Sequence, residues 1–203
     1  MRNQTTLPTF ESWLDKIAAA EQGRGWLSVC EGADRFLLPN RQLIASLAEL
    51  LRPLDRGLVL EVCAGRGELA EALASAGISV LATDAGAPSG SAALRASAQQ
   101  ALERYRPAAV LGCFVPVDAR VDETIMTFPS VRHYVVLGAR IGGLFGSEAL
   151  WQNSCWKAEP LKQVSRWMLT RHDVWIGSPK QMILQHGEAW HFRRNRKDDR
   201  NGP

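Results

Sequence analysis

Short continuous apolar runs alternate along this chain with stretches of helical period. Leu58-Val59-Leu60, Ile78 to Ala82, Ala108 to Gly112 and Arg132 to Leu137 carry apolar residues without the polar-apolar alternation of a half-exposed strand. That is the pattern of strands buried on both faces. Between them Leu69, Leu73 and Ala76 recur at helical spacing before Gly77, and Val121 to Phe128 reads as an amphipathic helix begun near Asp118 and stopped by Pro129. Leu94 to Tyr105 reads as a compressed strand plus a helix, ended by Pro107, with a short third strand expected near Ala92 to Arg95. The interval after Asp84 is too short for the usual two helices and a strand, so one helix is expected to be missing. Strands separated by helices predict a mostly parallel sheet covered on both sides, a three-layer α/β/α architecture.

The two ends of the chain read differently. Phe10, Trp13, Leu14 and Ile17 mark one face of a helix after Pro8-Thr9, and Leu43, Ile44, Leu47, Leu50 and Leu51 mark a second, with Asn40 as N-cap and Pro53 as stop. These predict an N-terminal helical cap over residues 1–56, ahead of an α/β domain over 57–193. Its loops supply Trp26, Arg35 and Phe36 as lid candidates. A glycine-rich exit from the fifth strand, Gly138 to Gly146, leads to an aromatic helix from Ser147. Val164 to Trp175 and Gln181 to Phe192 flank Gly177-Ser178-Pro179-Lys180 and read as a hairpin that closes the sheet with an antiparallel strand. Residues 194–203 read as a disordered tail.

Composition narrows the class only a little. The 203 residues are 46% hydrophobic and 22% charged, as in an ordinary globular protein, and the net charge is only +3. Nucleic acid is therefore disfavoured as a partner. Cys30, Cys63, Cys113 and Cys155 are widely spaced, without a CxxC pair or any metal-ligand spacing, which predicts free thiols, no metal and a reducing, cytoplasmic setting. No apolar run approaches the roughly twenty residues of a membrane span, so no membrane partner is expected.

The chemistry-bearing stretch is Leu58 to Asp84. It reads as strand, glycine turn, helix, strand and acid, the layout of a nucleoside-binding crevice. The glycines admit backbone N–H groups to a ligand, and the carboxylate at the next strand end can accept from both ribose hydroxyls. Here the sequence resembles motif I of the class I S-adenosylmethionine-dependent methyltransferases, acid-x-Gly-x-Gly-x-Gly, through Glu61, Gly65 and Gly67. Cys63 stands where that family usually has its first glycine, and Asp84 matches its ribose-binding acid.

This resemblance implies a Rossmann-like class I methyltransferase sheet, S-adenosylmethionine as cofactor and a small-molecule acceptor, with a homodimer left open. It places Glu61, Cys63, Ala64, Gly65, Gly67, Asp84 and Ala85 against the cofactor. The family often has an acid after the third strand to bond adenine; Ser97-Ala98-Gln99 stands there, so Ser97, Gln99 or the Ala98 backbone would take that part. Cys113, Phe114 and Val115 occupy the place of motif IV beside the donor methyl, without the Asn-Pro-Pro-Tyr pattern of amino-methylating enzymes. Asp118 follows directly and is the best placed general base, and it can equally cap the next helix. His133 starts a strand at the far end of the sheet. His172, beside Asp173 in a predicted hairpin strand, reads as a satisfied structural histidine, and Cys113 as a packed residue and not a nucleophile. An alternative use of the same site is cyclisation or elimination of S-adenosylmethionine giving methylthioadenosine, or binding without catalysis.

Overall fold

The computed structural model describes residues 7–19, 30, 35–54, 57–117, 120–139, 146–175 and 183–195. Trp26, Asp118, the turn at 177–180 and residues 196–203 lie outside them, as does most of the glycine-rich exit.

The first strand, β1 (Val59–Val62), is buried along its whole length. It lies between β2 (Val80–Asp84) and β4 (Ala109–Cys113), parallel to both. Successive β1 side chains enter opposite faces, as strand geometry requires. Val59 joins Leu111, Val135 and Leu137 in one core. Leu60 and Val62 join Val110, Tyr134 and Val136 in the other. The first core is covered by α2 (Arg41–Leu51) and α3 (Glu68–Ser75), the second by α4 (Ala98–Tyr105) and α5 (Val121–Thr127). The sheet is therefore the middle of three layers. Asn40 caps α2 by accepting the Leu43 amide at 2.9 Å. α1 (Phe10–Ala19) packs Ile17 against Cys30, Leu38 and Leu169.

Adding β3 (Leu94–Arg95), β5 (His133–Ala139), β6 (Trp156–Pro160) and β9 (Gly187–Arg194), the sheet order is β3-β2-β1-β4-β5-β9-β6. β9 is antiparallel to both neighbours and the other strands share one direction. No helix separates β2 from β3, so the missing helix is a fact of the fold. The remaining elements are α6 (Glu148–Gln152), α7 (Lys162–Ser165) and a detached pair, β7 (Val174–Trp175) with β8 (Ile183–Leu184).

The closing strands differ from the expectation. Val164 lies in α7 instead of a strand, and the run expected at 164–175 contributes only β7, which pairs with β8 outside the main sheet; the run expected at 181–192 supplies β8 and then most of β9, the antiparallel strand of the main sheet. The partner of β9 is β6, with the sequence Trp156-Lys-Ala-Glu-Pro160. As the last strand of the sheet it faces solvent, so its polar residues and its proline suit an edge, and they hide it from an apolar pattern. β9 runs through Arg194, whose guanidinium donates to the carbonyls of Met126 and Phe128 at 2.7 and 2.8 Å. No helix among the described residues is long and apolar enough to cross a membrane.

Candidate functional site

Strand order reverses at β1: the chain continues to one side through β2 and β3, then returns to the other side at β4. Such a switch point opens a crevice outside the carboxyl ends of the two strands. A cavity of about 590 Å³ lies there, within the range of small-molecule sites. The residues that end β1 and β4, Cys63, Cys113 and Phe114, line it.

The turn after β1 is held by its neighbours. Asp84 Oδ2 accepts the Gly65 amide at 2.9 Å and Oδ1 accepts the Gly86 amide at 2.7 Å. The Ala64 amide donates to the Thr83 carbonyl at 3.1 Å. The two turn glycines have different duties. A Cβ on Gly65 would meet no atom within 4 Å, so this backbone is open to the cavity it lines. A Cβ on Gly67 would come within 2.8 Å of the Ala93 nitrogen. Gly67 is thus a packing glycine between α3 and the β3 segment, and it does not line the cavity.

Cys63 is left-handed, with φ +52°, a conformation that favours glycine, and Phe114 is also left-handed at +53°. Left-handed non-glycine residues carry strain of roughly 1–3 kcal/mol and cluster at functional sites. Here both occur where a strand leaves the sheet into the same cavity.

Glu61 is the most unusual group in the crevice. It is 1% exposed, and its Oε2 has no hydrogen-bond partner among the described residues. Burial raises its pKa to about 8, assisted by the charge of Asp84 and opposed by the Ala70 amide. An unpartnered carboxyl oxygen in a cavity is a place for a cationic or donor group of a ligand. Burial likewise raises the Cys63 thiol to about 12 and the Cys113 thiol higher still, so neither is a thiolate nucleophile near neutral pH.

Glu61, Cys63, Ala64, Gly65, Asp84, Ala85, Ser97, Ala98, Cys113 and Phe114 all line the one cavity. Val115 does not; it is buried against the sheet beside Gly112. Gln99 turns away and donates to Glu103 at 2.9 Å. Ser97 caps α4 in a reciprocal bond with Gln100, which leaves its hydroxyl hydrogen for a ligand. Asp118 lies outside the described residues. The cavity also takes Arg35 and Phe36, and Arg35 is paired in two contacts of 2.7 and 2.8 Å with Glu68 at the start of α3.

The expectation for His172 fails. It sits in a turn instead of a strand, its ring stacks on Phe114 at 5.7 Å, and its Nε2 is buried without a partner among the described residues. The signal was absent from the sequence because the contact joins residues far apart along the chain.

The residues present fit S-adenosylmethionine. Two carboxyl groups with unused acceptor capacity line the cavity together with an open glycine backbone, and each oxygen of Asp84 keeps a lone pair after its amide bond.

No family model and no curated protein matches the chain. Among solved structures it is similar to the methyltransferase domain of bacterial CtHen1, at 11% identity over 76% of this chain and 97% of that one, with a TM-score of 0.45. It is similar to the 23S rRNA methyltransferase ErmE at 16% identity over 80% and 70%, TM-score 0.45. A SAM-dependent methyltransferase from Bacteroides fragilis in complex with S-adenosyl-L-homocysteine gives 12% identity over 96% and 99%, TM-score 0.35. Likenesses this distant carry no functional weight. The sheet itself is more specific: with its order reversed at β1 and an antiparallel strand wedged between β5 and β6, the fold is the Rossmann-like fold of the class I methyltransferases.

Proposed function

We propose that the protein is an S-adenosylmethionine-dependent methyltransferase acting on a small molecule. The observation that carries this reading is the pair Glu61 and Asp84, which line the cavity together with the open Gly65 turn at the switch point. Asp84 would accept from the ribose hydroxyls, Glu61 would receive the amino group of the methionyl part, and Ser97 with the Ala98 backbone would meet the adenine. The cofactor supplies an activated methyl group on a sulfonium, which needs no nucleophile from the protein. The work left to the chain is to bind, to exclude water and to orient the acceptor for in-line approach.

A small acceptor is supported by the outer part of the cavity. Phe36, Phe114, Leu37 and Pro116 make it apolar, and the guanidinium of Arg35 is already engaged by Glu68.

The test is titration calorimetry with S-adenosylhomocysteine, followed by incubation with S-adenosylmethionine and cell extract and mass spectrometry of the products. S-adenosylhomocysteine formed only in the presence of an acceptor is the expected result. Methylthioadenosine formed without one would redirect the reading to cyclisation or elimination, and absence of binding would end it.

A further inference from the structure

Three segments distant in sequence bring three rings together at one wall of the cavity. Phe36 lies 5.4 Å from Phe114, Phe114 lies 5.7 Å from His172 in a stacked arrangement, and His172 lies 6.3 Å from Phe36. Phe36 and Phe114 line the cavity. The guanidinium of Arg171 covers the Phe36 ring at 4.1 Å.

The cluster is built by the backbone. Residues 36–38 pair with 169–171: the Leu38 amide donates to the Leu169 carbonyl at 2.8 Å, the Arg171 amide donates to the Phe36 carbonyl at 2.9 Å, and Leu37 bridges Thr170. The turn that follows is clamped by buried Asp173. Its carboxylate accepts the Thr170 amide at 2.8 Å, the Thr170 hydroxyl at 2.9 Å and the His186 amide at 2.8 Å. Phe114 is aimed by a left-handed backbone.

Two features of this wall are unexplained by folding alone. Phe36 is 37% exposed, a large apolar ring left in solvent at a cavity mouth. His172 Nε2 is buried with no partner among the described residues, although such groups normally find one. A single kind of ligand satisfies both. A planar aromatic ring packed against the exposed part of Phe36 would cover the apolar surface. A hydroxyl on that ring, being both donor and acceptor, would serve Nε2 in either neutral tautomer. His172 does not itself line the cavity, so Phe36, the exposed member of the three, must yield as the ligand enters.

We propose that Phe36, Phe114 and His172 form the acceptor subsite and that it selects a hydroxylated planar aromatic molecule, with His172 Nε2 as the specificity-determining contact to the hydroxyl. The proposal rests on the methyltransferase reading for its location beside the donor. Burial, together with the charges of Arg171 and His186, holds the imidazole below its usual pKa, so the ring is neutral at neutral pH.

The experiment uses the full chain with S-adenosylhomocysteine and two soluble probes, 6-hydroxyquinoline and quinoline. The parent should bind the hydroxylated probe about tenfold tighter, and the nitrogen-15 signal of His172 Nε2 should move with that probe alone. His172→Phe keeps the stack and removes the nitrogen, so the preference should fall to near unity. Parent protein that does not discriminate, or a His172→Phe variant that still does, overturns the proposal. If His172→Phe does not fold, Phe36→Ala decides: affinity for both probes should fall severalfold, and unchanged affinity overturns the aromatic subsite. S-adenosylhomocysteine binding is measured separately. Its failure ends the cofactor reading, while a His172-dependent preference found without it still supports the subsite, and no preference overturns it.

Discussion

The Gly65 amide donates to the Asp84 carboxylate at 2.9 Å, so the acid that ends β2 is tied to the turn that ends β1. With the Gly86 amide on its other oxygen, Asp84 is a structural brace as well as a ligand candidate. Asp84→Asn leaves an NH2 group facing one of these amides. It should therefore lower stability by about 1–3 kcal/mol and weaken S-adenosylhomocysteine at least tenfold. Urea unfolding and calorimetry on one preparation read both effects. Parent-like values in both would refute the double role.

Glu61 makes stability depend on pH. Its folded pKa is raised to about 8 from the usual 4.5, so the unfolded chain releases this proton first. The contribution is complete below about 4.5 and is lost as pH rises through 8. Glu61→Gln should flatten the decline between those limits, which in the parent amounts to a few kcal/mol on the scale of about 1.4 kcal/mol per unit. Binding of a cationic amino group beside Glu61 should ionise it. The parent, and not the variant, should then release close to one proton at pH 7, measured as a dependence of binding heat on buffer ionisation enthalpy.

Gly65 and Gly67 should separate function from folding. Gly67→Ala places a methyl group 2.8 Å from the Ala93 nitrogen and should cost more than about 2 kcal/mol of stability. Gly65→Ala meets nothing in the protein, and should cost only about 1 kcal/mol for its left-handed backbone. It nevertheless puts a methyl group into the cavity, so ligand affinity should collapse in a well-folded protein. Equal behaviour of the two variants in melting and binding would contradict this division.

Cys63 occupies a glycine conformation without being glycine. Cys63→Gly should be neutral or stabilising by up to about 1 kcal/mol, strain relief being partly offset by backbone entropy. Cys63→Val should lose about 1–3 kcal/mol, because a β-branched residue tolerates φ +52° poorly. With its thiol held near 12, Cys63 should also be alkylated by iodoacetamide at pH 8 far more slowly than exposed Cys155. Peptide mapping of labelled protein reads the order.

Most of the donor half was legible because it is local in sequence. The apolar strands, the glycine turn, Asp84 and the cap at Asn40 are short-range patterns, and each lies where its spacing places it. Gly67 shows the limit: the motif marks a glycine, yet only the approach of Ala93 shows that the reason is packing. β6 escaped because an edge strand needs no apolar alternation. His172 escaped because its significance depends on Phe36 and Phe114, neighbours that only the folded topology supplies.

The ribbon joining residues 36–38 to 169–171 gives the two halves of the crevice unequal durability. Glu61 lies in β1 and Asp84 ends β2, both strands paired on two sides, and the turn is tied between them. The ribbon is a single bridge, Leu37 with Thr170, made of two backbone hydrogen bonds and backed by the Asp173 clamp and by buried Leu38 and Leu169. Segments so tethered open at lower free energy than the sheet and exchange their amides sooner. On warming, discrimination among acceptors should therefore fade first, while nucleoside affinity persists until the sheet melts.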